Sequence, residues 1–153
     1  MKTTEFLENS QVKYETTTHR AAFTAQRMAA LEHVKGQYVA KPVIVKADGK
    51  FLMCVLAACN KIDFDALRRQ IGASKVELAD EDEIAKIFTD CEIGAEPPFG
   101  NLYGLTTIMD KSLEKDDHIL FQADSHERGV RMKMADYLRL AKPKVLEFSY
   151  QMT

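Results

Sequence analysis

An unbroken apolar run, Phe51-Leu52-Met53-Cys54-Val55-Leu56-Ala57-Ala58, follows closely on Asp48-Gly49. Asp-Gly is a strong two-residue hairpin signal, because the favoured tight turn needs φ > 0 at its central residues. The run has the length of a strand and no polar face, so it is expected to lie buried on both sides, centrally in a sheet. The preceding arm, Tyr38 to Ala47, reads as a strand interrupted at Pro42, which has no N–H to give to a ladder.

The other elements follow from local signals. Residues 2–10 read as a short helix, and Val12 to Thr18, with its Val, Tyr and Thr triplet, as a strand. From Ala21 to Lys35 the residues Ala22, Met28, Ala29, Leu31 and Val34 fall on one helical face, and Gly36 is the stop. Asp63 caps a helix that runs to Ile71 and ends at Gly72. Lys75 to Leu78 is a short strand, and Asp80 opens another helix whose Glu81 and Asp82 suit its positive end. Strands are expected over Leu105–Met109, Asp117–Gln122 and Val130–Met132, a helix over Met134–Leu140, and a closing edge strand over Val145–Tyr150. Strands joined by a hairpin and interleaved with short helices imply an α+β fold on a mixed sheet, not a doubly wound parallel one. No repeat or Gly/Ser linker divides residues 1–153, so a single domain is expected.

Of the 153 residues, 46% are hydrophobic and 29% charged, an ordinary globular balance. The net charge of −2 supplies no global basic field, so any RNA contact must be a local patch. No apolar run reaches the ~20 residues that span a bilayer. Met1-Lys2-Thr3-Thr4-Glu5 lacks the apolar core of a secretory signal, and the three cysteines show no Cys-x-x-Cys spacing. A reduced, cytoplasmic setting without a metal site is expected.

The segment Gly94-Ala95-Glu96-Pro97-Pro98-Phe99-Gly100 can continue neither a helix nor a central strand, and reads as a stiff loop with exposed amides. By composition alone it is a rigid connector. Around it lie further short motifs in order: His19 with Ala22-Phe23-Thr24-Ala25, Val39-Ala40-Lys41, the apolar strand, Ala79-Asp80-Glu81-Asp82-Glu83, Phe121-Gln122-Ala123, and Met134-Ala135-Asp136-Tyr137-Leu138. Together, from about Tyr14 to Pro143, they resemble the YbaK family, relatives of the bacterial prolyl-tRNA synthetase editing domain. The loop looks like the Gly-x-x-Pro-Pro-Phe-Gly loop of that family.

The resemblance implies a single-domain, largely antiparallel mixed sheet flanked by helices. It also implies a freestanding, metal- and cofactor-independent hydrolase that cleaves the ester of mischarged aminoacyl-tRNA. The partner would be the tRNA acceptor end, with an aminoacyl-tRNA synthetase as a further one, and the state monomeric or homodimeric. A non-catalytic module that holds a small ligand or a tRNA 3′ end is the alternative.

Lys41, Gly94 and His126 are the candidate catalytic residues. Lys41 would neutralise phosphate or developing charge, amides at Gly94, Ala95 and Gly100 would face an oxyanion, and His126 would orient substrate or water. His19, Lys46, Pro97, Pro98, Phe99, Asp124 and Ser125 are the candidate substrate-binding residues beside Ala95 and Gly100. Lys41 and the loop amides are expected to converge on one hollow. Two positions depart from the family pattern. Pro42 removes an N–H beside Lys41, and Asp124 brings a carboxylate where a small residue is usual. Arg68, Arg69, Lys75, Arg128, Arg131 and Lys133 form a basic set suited to phosphates.

Overall fold

A computed structural model describes residues 3–19, 25–31 and 35–151. In order these form α1 (Thr3–Asn9), β1 (Tyr14–Thr18), α2 (Ala25–Leu31), β2 (Ala40–Ala47), β3 (Lys50–Ala57) and β4 (Asn60–Ile62). There follow α3 (Phe64–Ile71), β5 (Val76–Leu78), α4 (Glu81–Ile87), β6 (Thr106–Asp110) and β7 (His118–Ala123). The chain continues through β8 (Ser125–Lys133), α5 (Met134–Ala141), β9 (Lys144–Leu146) and β10 (Ser149–Gln151). The helix expected from Ala21 to Lys35 is present over α2; residues 20–24 and 32–34 lie outside the described residues.

Asp48 and Gly49 adopt φ of 49° and 84° and turn β2 into β3. The Asp48 carboxylate accepts from the Ser74 and Lys75 amides, and this holds it below the usual carboxylate range. β3 lies between antiparallel β2 and parallel β6, the central place its sequence demands. The five strands run β5-β2-β3-β6-β9. A parallel bridge between Val39 and Leu120 links them to an antiparallel set ordered β1-β8-β7. Of the pairings between named strands, only β3–β6 and β6–β9 are parallel. Pro42 does not interrupt β2. It faces Val55 on a stretch that β5 does not reach, an edge where a missing N–H costs no bond on that side.

Alternation along β3 sorts the core. Met53, Val55 and Ala57 join Ala40, Ile44, Phe99, Phe121 and Tyr137 on one face, beneath α1, α5 and the 94–100 loop. Cys54 and Leu56 join Val45, Leu67, Ile108 and Phe148 on the other, beneath α3. A smaller cluster of Met28, Val39, Ala58 and Leu120 underlies α2.

Local caps fall where the sequence puts them. Asp63 accepts from the Ala66 amide at 3.1 Å, and Gly72 closes α3 at φ 70°. Asp80 and Glu83 form a reciprocal capping box on α4. The C-terminal expectations change more. Val130–Met132 is the inner part of a nine-residue β8, and the single edge strand expected over 145–150 is two strands, β9 on β6 and β10 on β4. A 3₁₀ turn, Gly100–Tyr103, separates the Pro-Pro loop from β6. Among the described residues no helix is long and apolar enough to cross a membrane.

Candidate active site

α4 ends at Ile87, well before the two prolines, and Phe99 holds the loop that follows on the sheet. Its ring meets Phe6, Phe121 and Tyr137 at centroid distances of 5.4, 5.7 and 5.2 Å. Residues Ala95 through Gly100 are buried, and Gly94, at φ 90°, stays exposed. Exposed amides were expected here, and the burial of Phe99 is why they are not found. The Ala95 N–H donates to the Glu92 carbonyl at 3.0 Å, and that of Gly100 to Thr107 Oγ1 at 2.9 Å. A Cβ at Gly100 would sit 2.5 Å from that same oxygen, so the close approach needs glycine. The Gly94 N–H donates to Glu96 Oε1 at 2.9 Å. The Tyr137 hydroxyl, itself buried, donates to the Pro98 carbonyl at 2.7 Å.

The turn between β7 and β8 clamps the front of this loop. Asp124, at φ 71°, donates its N–H to the Ala95 carbonyl and accepts the Glu92 N–H at its own carbonyl, each at 2.9 Å. His126 is 5% exposed and its Nε2 lies 2.7 Å from the Ile93 carbonyl, which fixes the hydrogen on that nitrogen. The Asp124 carboxylate accepts from both the amide and the hydroxyl of Thr3, so it serves α1 instead of projecting toward phosphates. Ser125 Oγ accepts from the Glu127 amide at 3.2 Å. Ser125 and His126 are thus occupied separately and do not form a nucleophile–base pair.

An open groove of about 450 Å³ adjoins the clamp, bounded by Asp90, Cys91, Glu92, Asp124, Ser125 and Arg128. Burial, reinforced by Glu96, pushes the Cys91 thiol up to about 12. At neutral pH it is a thiol and a poor nucleophile. Among the described residues no group of three His, Cys, Asp or Glu side chains could hold a metal ion.

Lys41 stands apart from this constellation. It faces Leu56 across the β2–β3 ladder, so its side chain leaves the sheet on the α3 side, opposite the face on which Phe99 packs. The expectation that Lys41 and the loop amides share one hollow is corrected by this alternation. The Lys41 ammonium donates to the Ala58 carbonyl at 3.2 Å. Burial holds its pKa below the ordinary lysine value, with Cys59 opposing and Lys61 adding to the shift. Lys46 lies on the loop's face but pairs with Glu83 at 2.7 Å. His19 donates its amide to the Glu127 carbonyl at 2.9 Å, one residue from His126.

The structure thus gathers Gly94, Ala95, Pro97, Pro98, Phe99, Gly100, Asp124, Ser125 and His126, places His19 alongside through β1, and sets Lys41 and Lys46 elsewhere. Sequence reasoning passed over Glu96, Thr107 and Tyr137, the side chains that occupy the loop's polar groups. Only the position of Glu96 inside the Gly/Pro segment could have drawn attention to it.

Known proteins resemble this chain along nearly its whole length. Residues 19–140 match the family described as "Aminoacyl-tRNA editing domain". The "Multifunctional Ser/Thr-tRNA deacylase ProXp-y" of Escherichia coli (strain K12) is 29% identical over 147 residues, 93% of this chain and 87% of the relative. The "Prolyl-tRNA editing protein ProX" of Acetoanaerobium sticklandii is 25% identical over 142 residues, 89% of this chain and 86% of the relative. The crystal structure of hypothetical protein APE2540 superimposes with a TM-score of 0.88 at 16% identity, covering 98% of this chain and all of that one, a likeness of fold. With the profile spanning well over half of its length, this chain belongs to the aminoacyl-tRNA editing domain family.

Proposed function

We propose that the protein is a trans-acting aminoacyl-tRNA deacylase, hydrolysing the ester between a wrongly attached amino acid and the terminal ribose of a tRNA. Water attacks the ester carbonyl, the carbonyl carbon passes through a tetrahedral oxyanion, and the bond to the ribose oxygen breaks as that oxygen takes a proton. The observation that carries this reading is the Gly94 amide, which belongs to an exposed residue held at a glycine-specific φ and donates to a carboxylate oxygen. Glu96 Oε1 stands where an oxyanion would sit. A donor so placed contributes about 3 kcal/mol to such a step.

In this reading Gly94 faces the developing charge once Glu96 swings away. His126 positions the 93–94 turn through the Ile93 carbonyl, and Ser125 with the Ala95–Gly100 backbone shapes the acyl side. Lys41 acts on the far face as a charge for RNA, and His19 borders the site through its pairing with Glu127. Incubation with a panel of mischarged tRNAs tests the proposal: one or more should lose its amino acid, and no cleavage across the panel by a folded protein would defeat it. A synthetase partner is a separate expectation, checked by co-purification.

One observation favours a second reading, a module that binds without turnover: the amides of Gly94, Ala95 and Gly100 all have acceptors already. Lys41→Ala separates the two. A lower turnover supports the enzyme, and weaker tRNA binding with no turnover in either form supports the module.

A further inference from the structure

The basic set read from the sequence is split by the fold. Arg68 and Arg69 lie on α3 and Lys75 precedes β5, whereas Arg128, Arg131 and Lys133 belong to β8. Two lysines outside that set share one groove instead. Lys50 opens β3 and Lys144 opens β9, and both line an open groove of about 350 Å³ between the end of α3 and the sheet. Strand register puts them on one face. Lys50 precedes Leu52 by two residues, Leu52 faces Thr106, and Lys144 faces Ile108, so all five side chains leave the sheet on the α3 side. Leu52 and Ile108, with Ile71 of α3, make an apolar floor. Phe99 and its loop pack on the opposite face.

Lys50 and Lys144 stand at opposite corners of that floor, two strands apart and four residues apart in level, roughly 16 Å between Cα atoms at ordinary strand dimensions. Both are exposed, and among the described residues neither has an ion-pair partner. The carboxylate in the wall, Asp48, accepts from the Ser74 and Lys75 amides, which compensate its charge. The groove therefore offers a cation at each end of an apolar surface, a concave apolar site with a few convergent charges. A purely polar ligand leaves the floor unmatched, and a purely apolar one leaves both lysines unmatched. We propose that this groove binds a small molecule with a short hydrocarbon body and a carboxylate at each end, one on Lys50 and the other on Lys144. The groove lies behind the sheet from the loop site, so binding here neither needs ester cleavage nor supports it.

The test is a titration of the isotope-labelled full chain with octanedioate, followed by amide chemical shifts at constant, low ionic strength. Octanedioate should produce saturable shifts at Leu52, Ile71, Gly72 and Ile108, and bind about fivefold more tightly than octanoate, which carries one charge. Butanedioate, with both charges but little hydrocarbon, and octanediol, with the hydrocarbon but no charge, should each bind at least about tenfold more weakly than octanedioate. Lys50→Gln and Lys144→Gln should each weaken octanedioate about fivefold and leave it binding no better than octanoate. Thr106→Trp, which fills the groove and keeps both lysines, should abolish the saturable shifts. Unchanged spectra away from the groove confirm that each variant is folded. Wild-type affinity for octanedioate in the folded lysine variants would overturn the proposal. So would equal binding of octanedioate and octanoate by the wild type, or no saturable shift at the groove.

Discussion

Thr3 and Asp124, 121 residues apart, are joined by two hydrogen bonds, the Thr3 amide to Oδ2 at 3.1 Å and the Thr3 hydroxyl to Oδ1 at 2.8 Å. The backbone of Asp124 meanwhile pairs with Glu92 and Ala95. One residue in a left-handed turn thus ties the first helix, the β7–β8 turn and the Pro-Pro loop together. The carboxylate that departs from the family pattern serves the fold that carries the site.

Asp124→Ala should be among the more damaging single changes. It leaves both Thr3 donors buried without their acceptor and puts a Cβ-bearing residue without local hydrogen bonding at φ 71°. About 3 kcal/mol of stability should be lost, read as a lower urea midpoint at unchanged slope.

Tyr137→Phe isolates a single bond. The ring packing is kept, and the buried Pro98 carbonyl loses its donor. A loss of about 1–3 kcal/mol is expected by urea titration, with loosening of the loop seen as faster amide exchange at Phe99 and Gly100.

Stability should be flat near neutral pH and fall in alkali. Burial raises the Cys54 thiol from 9.0 to about 12 and holds the Tyr137 phenol above its ordinary 10.0. An unfolded chain releases these protons from about pH 9 upward while the folded chain keeps them, so the stability present below that pH is lost as pH rises toward 12. Urea midpoints at about pH 8 and about pH 10.5 check the direction. Cys54→Ala should be less stable throughout, with a shallower alkaline decline.

Glu96→Gln should not slow ester cleavage. The change weakens the acceptor that holds the Gly94 amide and frees the donor for substrate. Single-turnover deacylation should proceed at least as fast as in the wild type, whereas a carboxylate taking part in chemistry would show as a loss of tenfold or more.

Legibility followed the range of the forces. Asp48-Gly49, the Asp63 and Asp80 caps and the Gly72 stop are decided within a few residues, and all stand where the sequence puts them. β8 was legible only in its apolar part. Ser125-His126-Glu127-Arg128 is polar and reads as a surface turn, but pairing with β1 and β7, distant in sequence for β1, makes it strand. The split of the last segment into β9 and β10 is likewise set by β6 and β4, not by its own residues. At the site, the identity of the loop was plain from its glycines and prolines. Its burial was not, because that depends on Phe6, Phe121 and Tyr137 gathering around Phe99. The face taken by Lys41 follows from the β2–β3 register, which the hairpin signal implied but which the separate reading of Lys41 did not use.

The initial rate of amino-acid release from a mischarged tRNA, wild type against His126→Ala with both shown folded, bears most directly on the site. The account predicts enzyme-dependent release by the wild type and a rate at least about tenfold lower when the Ile93 carbonyl loses its partner. Equal rates in the two proteins, or no release above the spontaneous rate by the wild type, would contradict it.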